Sequence, residues 1–187
     1  MANKYDHLFI SGADPEVQKV RPMPAIGFLD GKTFPGCNGY HVFWVGPKSY
    51  GPYGTKGWGE IYHGPHVHKY PEIFMHLETD PDNPMDLGAE VEMFVGPEKE
   101  RHLITRSTIM TFPANFPHSP WRILKVHRPF LIVTVNQSTE HTEKALRDMV
   151  PREQWDRMIF IDAGYEDEGI KNNFGWPEAA GPQTRYI

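Results

Sequence analysis

The stretch His66-Val-His68-Lys-Tyr-Pro-Glu72 does most to decide what this sequence can form. Alternate side chains of a β-strand point to the same face, so the two histidines and the glutamate are expected on one side of a strand. Two imidazoles and a carboxylate that point together are typical of a first-row divalent metal site with open positions for water or substrate. Alone the pattern is weak, because a chain with 10 histidines produces His-x-His pairs by chance.

A second stretch, Ser107-Thr-Ile-Met-Thr-Phe-Pro-Ala-Asn-Phe-Pro-His118, supplies a fourth candidate ligand. Its order of residue types predicts a strand, a tight turn and then a histidine. Asn115 stands in the turn, and asparagine is the residue after glycine that best tolerates a left-handed backbone. His118 can join the first three candidate ligands only if the strands of the two stretches lie side by side in the folded chain.

Together the two stretches resemble the two sequence motifs of the cupins. The first motif has a His-x-His pair followed by a glutamate, and the second has a proline, here Pro113, followed by a histidine. The resemblance implies a double-stranded β-helix, also called a jelly-roll barrel. It also implies one metal ion bound by His66, His68, Glu72 and His118. Several motif positions differ, and the replacements are Glu60, Thr79, Ser107, Asn115 and Arg122.

The remaining sequence favours an all-β fold, with 18 prolines and 17 glycines between short hydrophobic runs. Strands are predicted over 40–45, 66–77, 89–95, 107–112, 121–126 and 130–135. We expect one domain over residues 1–187, made of an N-terminal arm (1–39), a barrel core (40–137) and C-terminal helices with a tail (138–187). A glycine-rich loop over 46–60 is expected to be mobile or to face a ligand.

Helical texture is predicted only near the end of the chain. Ser138 or Thr139 is expected to cap a helix that runs to Met149, with glutamates such as Glu143 in its first turns. A second short helix is expected to open at Pro151 and to run to Ile159. The aromatic tail that follows is expected to pack across the barrel or over a neighbouring subunit.

Composition and charge exclude several classes of function. The formal charge of −5, without a run of Lys or Arg, argues against a nucleic-acid partner. No stretch approaches the roughly 20 apolar residues that span a bilayer. The single cysteine, Cys37, gives no sign of an oxidising compartment, so we expect a cytoplasmic protein. Nucleophile-elbow, phosphate-loop and dinucleotide motifs are absent from the sequence.

Three further residues are candidates for roles around the metal. His76 has the strand parity of Glu72, so it either assists proton transfer or is a hydrogen-bonded interior histidine. Arg122 either holds a substrate carboxylate or forms an ion pair at the rim. His63 precedes a Gly-Pro turn and is placed at the surface or the pocket rim. On the first strand, the sequence does not decide whether the face with His41 or the face with Tyr40 points inward.

The predicted function follows from the predicted site. Three histidines and one glutamate suit Fe2+ or Mn2+ best, with Zn2+ and Ni2+ as alternatives. An octahedral ion would keep two positions for a small oxygen-rich or carboxylated substrate. The resemblance implies dioxygenase, decarboxylase, isomerase or lyase chemistry, and we place dioxygenation slightly first, with Glu72, His76 and Arg122 as catalytic candidates. A non-catalytic module that senses or binds a small ligand is the alternative, and we expect a homodimer.

Overall fold

The computed structural model describes residues 4–9, 11, 25–47 and 62–165. Its short 3-10 helices span Asp6–Leu8, Arg147–Met149 and Arg152–Arg157. No described helix has the length and apolar character that a membrane crossing requires. The described strands are β1 (Ala25–Leu29), β2 (Gly39–Val45), β3 (Tyr62–His63), β4 (His66–Val67), β5 (Glu72–Glu78), β6 (Asp86–Val95), β7 (Glu100–Arg106), β8 (Thr108–Phe112), β9 (His118–Val126), β10 (Phe130–Asn136), β11 (Glu143–Ala145), β12 (Met158–Ile159) and β13 (Asp162–Ala163).

The strands form two sheets. The first sheet has the order β1-β2-β10-β5-β8, and the second has the order β12-β3-β9-β4-β11-β13, with β6 between β9 and β7. All pairs are antiparallel except β12 with β3. The chain changes sheet between β5 and β6, between β7 and β8, and at each step from β8 to β10. This alternation is the double-stranded β-helix that the sequence predicts, so the all-β fold class is confirmed.

The core lies between the inward faces of the two sheets. Aromatic and branched aliphatic residues alternate with more exposed residues along the central strands, which is the pattern of a sheet with one buried face. On β2 the buried positions are Phe43 and Val45, whereas Trp44 is exposed. The face that includes His41 therefore turns inward. The remaining inward residues of this core include Leu87, Val91, Met93, Trp121, Ile123, Phe130 and Ile132.

The predicted strand over 66–77 is broken into two strands. Residues 68–71 lie outside the strands and bend at Lys69 and Tyr70; they separate β4 from β5, and these strands belong to different sheets. Pro71 has no backbone N–H for a strand ladder, which is a physical reason for the break. The shared face expected of His66, His68 and Glu72 is consequently not the face of one strand. They converge because the chain crosses from one sheet to the other.

The predicted helix from 138 to 149 is wrong over most of its length. Glu143 to Ala145 form β11, which pairs with β4 on one side and with β13 on the other. Only Arg147–Met149 is helical, as a single 3-10 turn. The second helix does begin after Pro151, as a 3-10 helix over Arg152–Arg157. The short strands β1, β3, β12 and β13 and the longer β7 were not predicted.

Some predicted segments lie outside the described residues. These are residues 1–3, 10 and 12–24 of the N-terminal arm, residues 48–60 of the glycine-rich loop, and the aromatic tail from 166 onward. At the start of the tail, Tyr165 is buried, and the ammonium of Lys69 lies 4.4 Å from the centre of its ring.

Two isoleucines on central and edge strands provide a matched test of the core. Ile132 on β10 is 1% exposed and Ile109 on β8 is 67% exposed. Replacing Ile132 by Ala should lower the free energy of unfolding by about 2–5 kcal/mol, because it removes buried apolar surface and leaves a cavity. Ile109→Ala should cost about 1 kcal/mol or less, reflecting strand preference alone. Urea denaturation followed by circular dichroism measures both, and equal losses would contradict this core.

Candidate metal centre

Four side chains from three strands and one bend meet at the end of the barrel. His66 begins β4, His118 begins β9, and these two residues are partners in the β4–β9 pair. Glu72 begins β5 and is paired with Phe112 of β8. His68 lies in the bend between β4 and β5. The topology therefore brings the predicted ligands together although they come from both sheets.

The turn before His118 is tied directly to the first stretch. Asn115 has φ of 59°, which is the left-handed conformation predicted for it. Its backbone N–H donates to the carbonyl of His68 at 2.7 Å. Beyond the turn, β9 enters its ladder with β6 through a bulge at Met93 and Val95, where Val95 is the partner of His118. Bulges of this kind commonly re-aim a side chain beside a functional site.

The ligand atoms of His66, His68, Glu72 and His118 lie within 4.8 Å of one another. A Glu72 carboxylate oxygen is 3.2 Å from His118 Nε2 and 3.5 Å from His68 Nε2. Ligands bound at about 2.0–2.2 Å from a common ion are roughly 3 Å apart when they are neighbours, so little movement is needed to close around one. All four residues are buried.

Backbone carbonyls orient the three imidazoles. His66 Nδ1 is 2.8 Å from the carbonyl of Gly64, and His118 Nδ1 is 3.0 Å from the carbonyl of Phe116. His68 Nδ1 makes the same kind of contact with the carbonyl of Thr142. A carbonyl only accepts hydrogen bonds, so each Nδ1 carries the hydrogen and each Nε2 is the nitrogen left for the centre.

The donor set fits a divalent cation. Nε2 of His68 and Nε2 of His118 are buried, and within the described part of the chain neither makes a hydrogen bond, although the Glu72 carboxylate is close to both. A buried polar atom without a partner costs about 1–3 kcal/mol, and a metal ion would satisfy both atoms at once. Three imidazole nitrogens and one carboxylate oxygen are ordinary ligands for first-row divalent metals.

The charges at the centre are coupled. Burial alone would raise the pKa of the Glu72 carboxyl, but the imidazoles of His68 and His118 outweigh burial and hold this pKa well below its usual range. Burial alone would lower the pKa of His68, but the Glu72 carboxylate outweighs it and raises this pKa to about 9. Burial lowers the pKa of His66 well below its ordinary value. Without a metal, Glu72 and His68 therefore form a buried ion pair.

Aromatic rings enclose the imidazoles. Phe112 stacks on His118 with 4.4 Å between ring centres and 4° between planes. Tyr70 stacks on His68 with 5.0 Å between ring centres and 8° between planes. These contacts, together with the backbone hydrogen bonds, restrict rotation of the imidazoles, which preorganises the centre.

The structure adds Glu143 and His141, to which the sequence did not point, and it places the predicted rim residue His63 beside them. Glu143 of β11 is buried beside the centre, and one carboxylate oxygen is 2.7 Å from His63 Nε2. The ring of His63 stacks on that of His66 at 4.3 Å. His141 is on the other side of Glu143, with Nε2 3.6 Å from its second oxygen, and Nδ1 accepts the hydroxyl of Tyr70 at 2.9 Å.

The sequence signal for this group is slight. Because a helix was predicted over this segment, the alternation His141-Thr142-Glu143 was not read as part of a strand. His141 and Glu143 flank Thr142, whose carbonyl contacts His68 Nδ1. Burial alone would raise the pKa of the Glu143 carboxyl, but the imidazoles of His63 and His66 outweigh it and hold this pKa well below its usual range. A second carboxylate is therefore present beside the metal-ligand group.

His76 lies in the barrel interior and not among the ligands. Its Nε2 accepts the indole N–H of Trp121 at 2.9 Å, and its ring lies beside Phe74 and Phe130. Burial lowers the pKa of His76 to about 3, so the ring stays neutral at physiological pH. Of the two predicted roles for His76, these contacts support a hydrogen-bonded interior histidine. They give no support to proton transfer by this residue.

Arg122 is likewise engaged elsewhere. Its guanidinium forms an ion pair with Glu92 of β6 and lies 5.3 Å from the ring centre of Tyr62. Its neighbours Trp121 and Ile123 are in the core, so Arg122 points to the opposite face of β9. The contacts fit the ion-pair alternative, and a clamp on a substrate carboxylate has no support in them.

Comparison with known proteins finds distant structural likenesses. No family model matches the chain, and no curated protein matches it. It is similar to an uncharacterized conserved protein with a double-stranded beta-helix domain from Klebsiella pneumoniae, at 12% identity over 78% of this chain and 96% of that chain, with a TM-score of 0.43. The DMSP lyase DddQ from Ruegeria pomeroyi is 15% identical over 58% of this chain and 43% of the lyase, with a TM-score of 0.35.

A further match is oxalate decarboxylase from Bacillus subtilis, whose structure was studied for its Mn(II) centres. It is 11% identical over 69% of this chain and 30% of the decarboxylase, with a TM-score of 0.41. The chain thus spans less than half of the lyase and of the decarboxylase. At these identities and scores no activity, substrate or metal passes from these proteins to this chain.

Removal of one ligand should remove the metal and leave the fold. His118→Ala deletes one of four donors, and we expect at least a tenfold loss of affinity for Mn2+ while the circular dichroism spectrum is retained. His102→Ala is the matched control, since His102 lies on β7 with half of its side chain exposed and contacts Glu100. Metal analysis after dialysis gives both values. Equal occupancy in the two variants would contradict the ligand assignment.

Metal binding should release a proton from His68. With a pKa of about 9, this imidazole is protonated at neutral pH and has no lone pair for a metal until the proton leaves. The association constant for Mn2+ should therefore rise by about tenfold per pH unit from roughly pH 7 to 8.5, then level off above pH 9. Calorimetry in buffers with different ionisation enthalpies counts the protons, and a count of zero at about pH 7.5 would refute this coupling.

Proposed function

We propose that this chain is a metal-dependent enzyme that binds one divalent ion through His66, His68, Glu72 and His118 and acts on a small molecule that chelates the ion. The observation that carries the proposal is the buried group of three imidazoles and one carboxylate whose ligand atoms lie within 4.8 Å of one another. Three carbonyl contacts fix the imidazoles in the tautomer that a metal requires.

The donor set favours Fe2+ or Mn2+, with Zn2+ and Ni2+ as alternatives. Four protein ligands leave two positions in an octahedral ion, which suits a hydroxy acid, a keto acid, an enediol or a diol. When bound, the ion supplies a Lewis acid that polarises a substrate oxygen. The protein supplies a buried, aromatic-walled site in which hydrogen bonds and charges act with little competition from water.

Two reaction classes suit this site. Dioxygenation needs O2 beside the bound substrate, so the substrate either keeps only one of the two open positions or reacts with O2 that is not bound to the ion; we place this class first on the basis of the donor set. A redox-neutral elimination, decarboxylation or isomerisation needs a polar group near the bound substrate. The specific observation in favour of that class is the carboxylate of Glu143, which His63 holds beside the ligand group.

A screen with and without O2 tests the proposal. Protein loaded anaerobically with Fe2+ or with Mn2+ is offered hydroxy acids, keto acids, catechols and diols, while O2 uptake and product formation are followed. We expect turnover with at least one group and at least a 100-fold loss in His118→Ala, because that variant lacks a ligand. O2 uptake matched to product indicates a dioxygenase, and equal anaerobic turnover indicates the redox-neutral class.

The non-catalytic alternative has its own outcome in the same screen. A ligand that changes the visible spectrum of Co2+-loaded protein without turnover would support a binding or sensing module and would contradict the enzyme proposal. The expected homodimer stays a prediction, and sedimentation equilibrium of the purified protein measures it.

A further inference from the structure

Glu143 is a buried carboxylate that is not one of the four ligands. One of its oxygens is 2.7 Å from His63 Nε2, and the other is 3.6 Å from His141 Nε2. Ligand-type atoms of His63, His66 and Glu143 lie within 4.8 Å of one another. The carboxylate is thus beside a metal ligand, and its side chain is 3% exposed.

This group is poorly suited to a second metal ion. His66 Nδ1 is taken by the carbonyl of Gly64, and its other nitrogen belongs to the four-ligand group. His63 and Glu143 alone would then remain as donors of the group, fewer than the three or four protein ligands of typical sites. The contacts of Glu143 are better suited to a group on a bound molecule than to another ion.

The backbone holds Glu143 in place on two sides. β11 pairs with β13 through Glu143 and Ala163, and with β4 through Lys144 and Val67. The next residue in the chain after β11, Leu146, donates its N–H to the carbonyl of Pro65 at 2.8 Å. A side chain on a strand between two others keeps its position more precisely than one on a loop.

We propose that Glu143, held by His63, is a specificity subsite of the metal centre that accepts a hydrogen bond from a hydroxyl or N–H group of the chelating substrate. The substrate class is then a neutral or singly charged hydroxy compound, and dicarboxylates are disfavoured. The inference rests on the proposed function, because Glu143 would contact a substrate that is already bound to the metal.

The chemistry of a carboxylate gives this selectivity its direction. An ionised carboxylate has about four acceptor sites and no donor, so it rewards a substrate that brings a hydrogen. It repels a second carboxylate, and the repulsion is strong because burial lowers the local dielectric. Glu72 already places one carboxylate at the metal, so a dianionic substrate would meet two.

Three chelators of similar size but different charge test the subsite. Glycolamide is neutral, glycolate carries one negative charge and oxalate carries two. Each is titrated at pH 8 into Co2+-loaded wild type, Glu143→Gln and the control Glu90→Gln, and the visible spectrum reports binding. Glu90 is a half-exposed residue of β6 next to Lys125, so its replacement removes the same charge at a distance.

The expected result is a change in the ratio of affinities. Glu143→Gln should raise affinity for oxalate relative to glycolamide at least tenfold, with glycolate between them, whereas Glu90→Gln should leave the ratio within threefold of wild type. An unchanged ratio in Glu143→Gln, with Co2+ still bound, would overturn the subsite and leave the metal proposal standing. Failure of wild type to bind Co2+ would overturn both.

A second measurement needs no variant and covers the case in which Glu143→Gln does not fold. Wild-type protein loaded with Co2+ is titrated with methyl glycolate and with methyl methoxyacetate, in which a methyl group replaces the hydroxyl hydrogen and no other donor is present. The subsite predicts at least tenfold tighter binding of methyl glycolate, because only this ester can donate to the carboxylate. Equal affinities would overturn the inference.

Discussion

The cross-strand pair of His66 and His118 is the constraint on which the rest of the centre depends. β4 is two residues long and meets β9 at this pair alone, yet it also carries β11 on its other edge. The chain leaves β4 through a bend and enters the opposite sheet at Glu72. The four candidate ligands therefore meet only when both sheets are in register.

The burial of these groups has an energetic consequence. Taking a carboxylate out of water costs several kcal/mol unless a charge and hydrogen bonds replace its hydration. Without metal, the protonated imidazole of His68 forms an ion pair with the Glu72 carboxylate. Glu143 has a hydrogen bond with Nε2 of His63 instead. A divalent ion bound at this site would replace the proton of His68 as the positive charge beside Glu72. Because that charge is already offset without the ion, we expect the barrel to fold without metal.

Residues near in sequence explain why much of this could be predicted. The strands around Tyr40, Ala89, Ser107 and Phe130 were found from alternation and β-branched residues, because such patterns are local. The left-handed conformation of Asn115 was predicted from its place at the turn position of the second motif, and its φ of 59° confirms it. The first three candidate ligands do lie together, but not for the predicted reason, because the chain crosses between the sheets through residues 68–71 and the three do not share one strand face.

What the sequence could not reveal is non-local. β11 looks helical because Glu140 and Glu143 suit the first turns of a helix, and its real partners, β4 and β13, are far away in the chain. Pairing with neighbouring strands overrides this local helical preference once the folded barrel brings those strands alongside. The same segment supplies the Thr142 carbonyl that orients His68 and the carboxylate beside His66. The proposed selectivity subsite, Glu143, thus lies on a strand whose place in the fold is set by its tertiary partners, which is why the sequence alone did not reveal it.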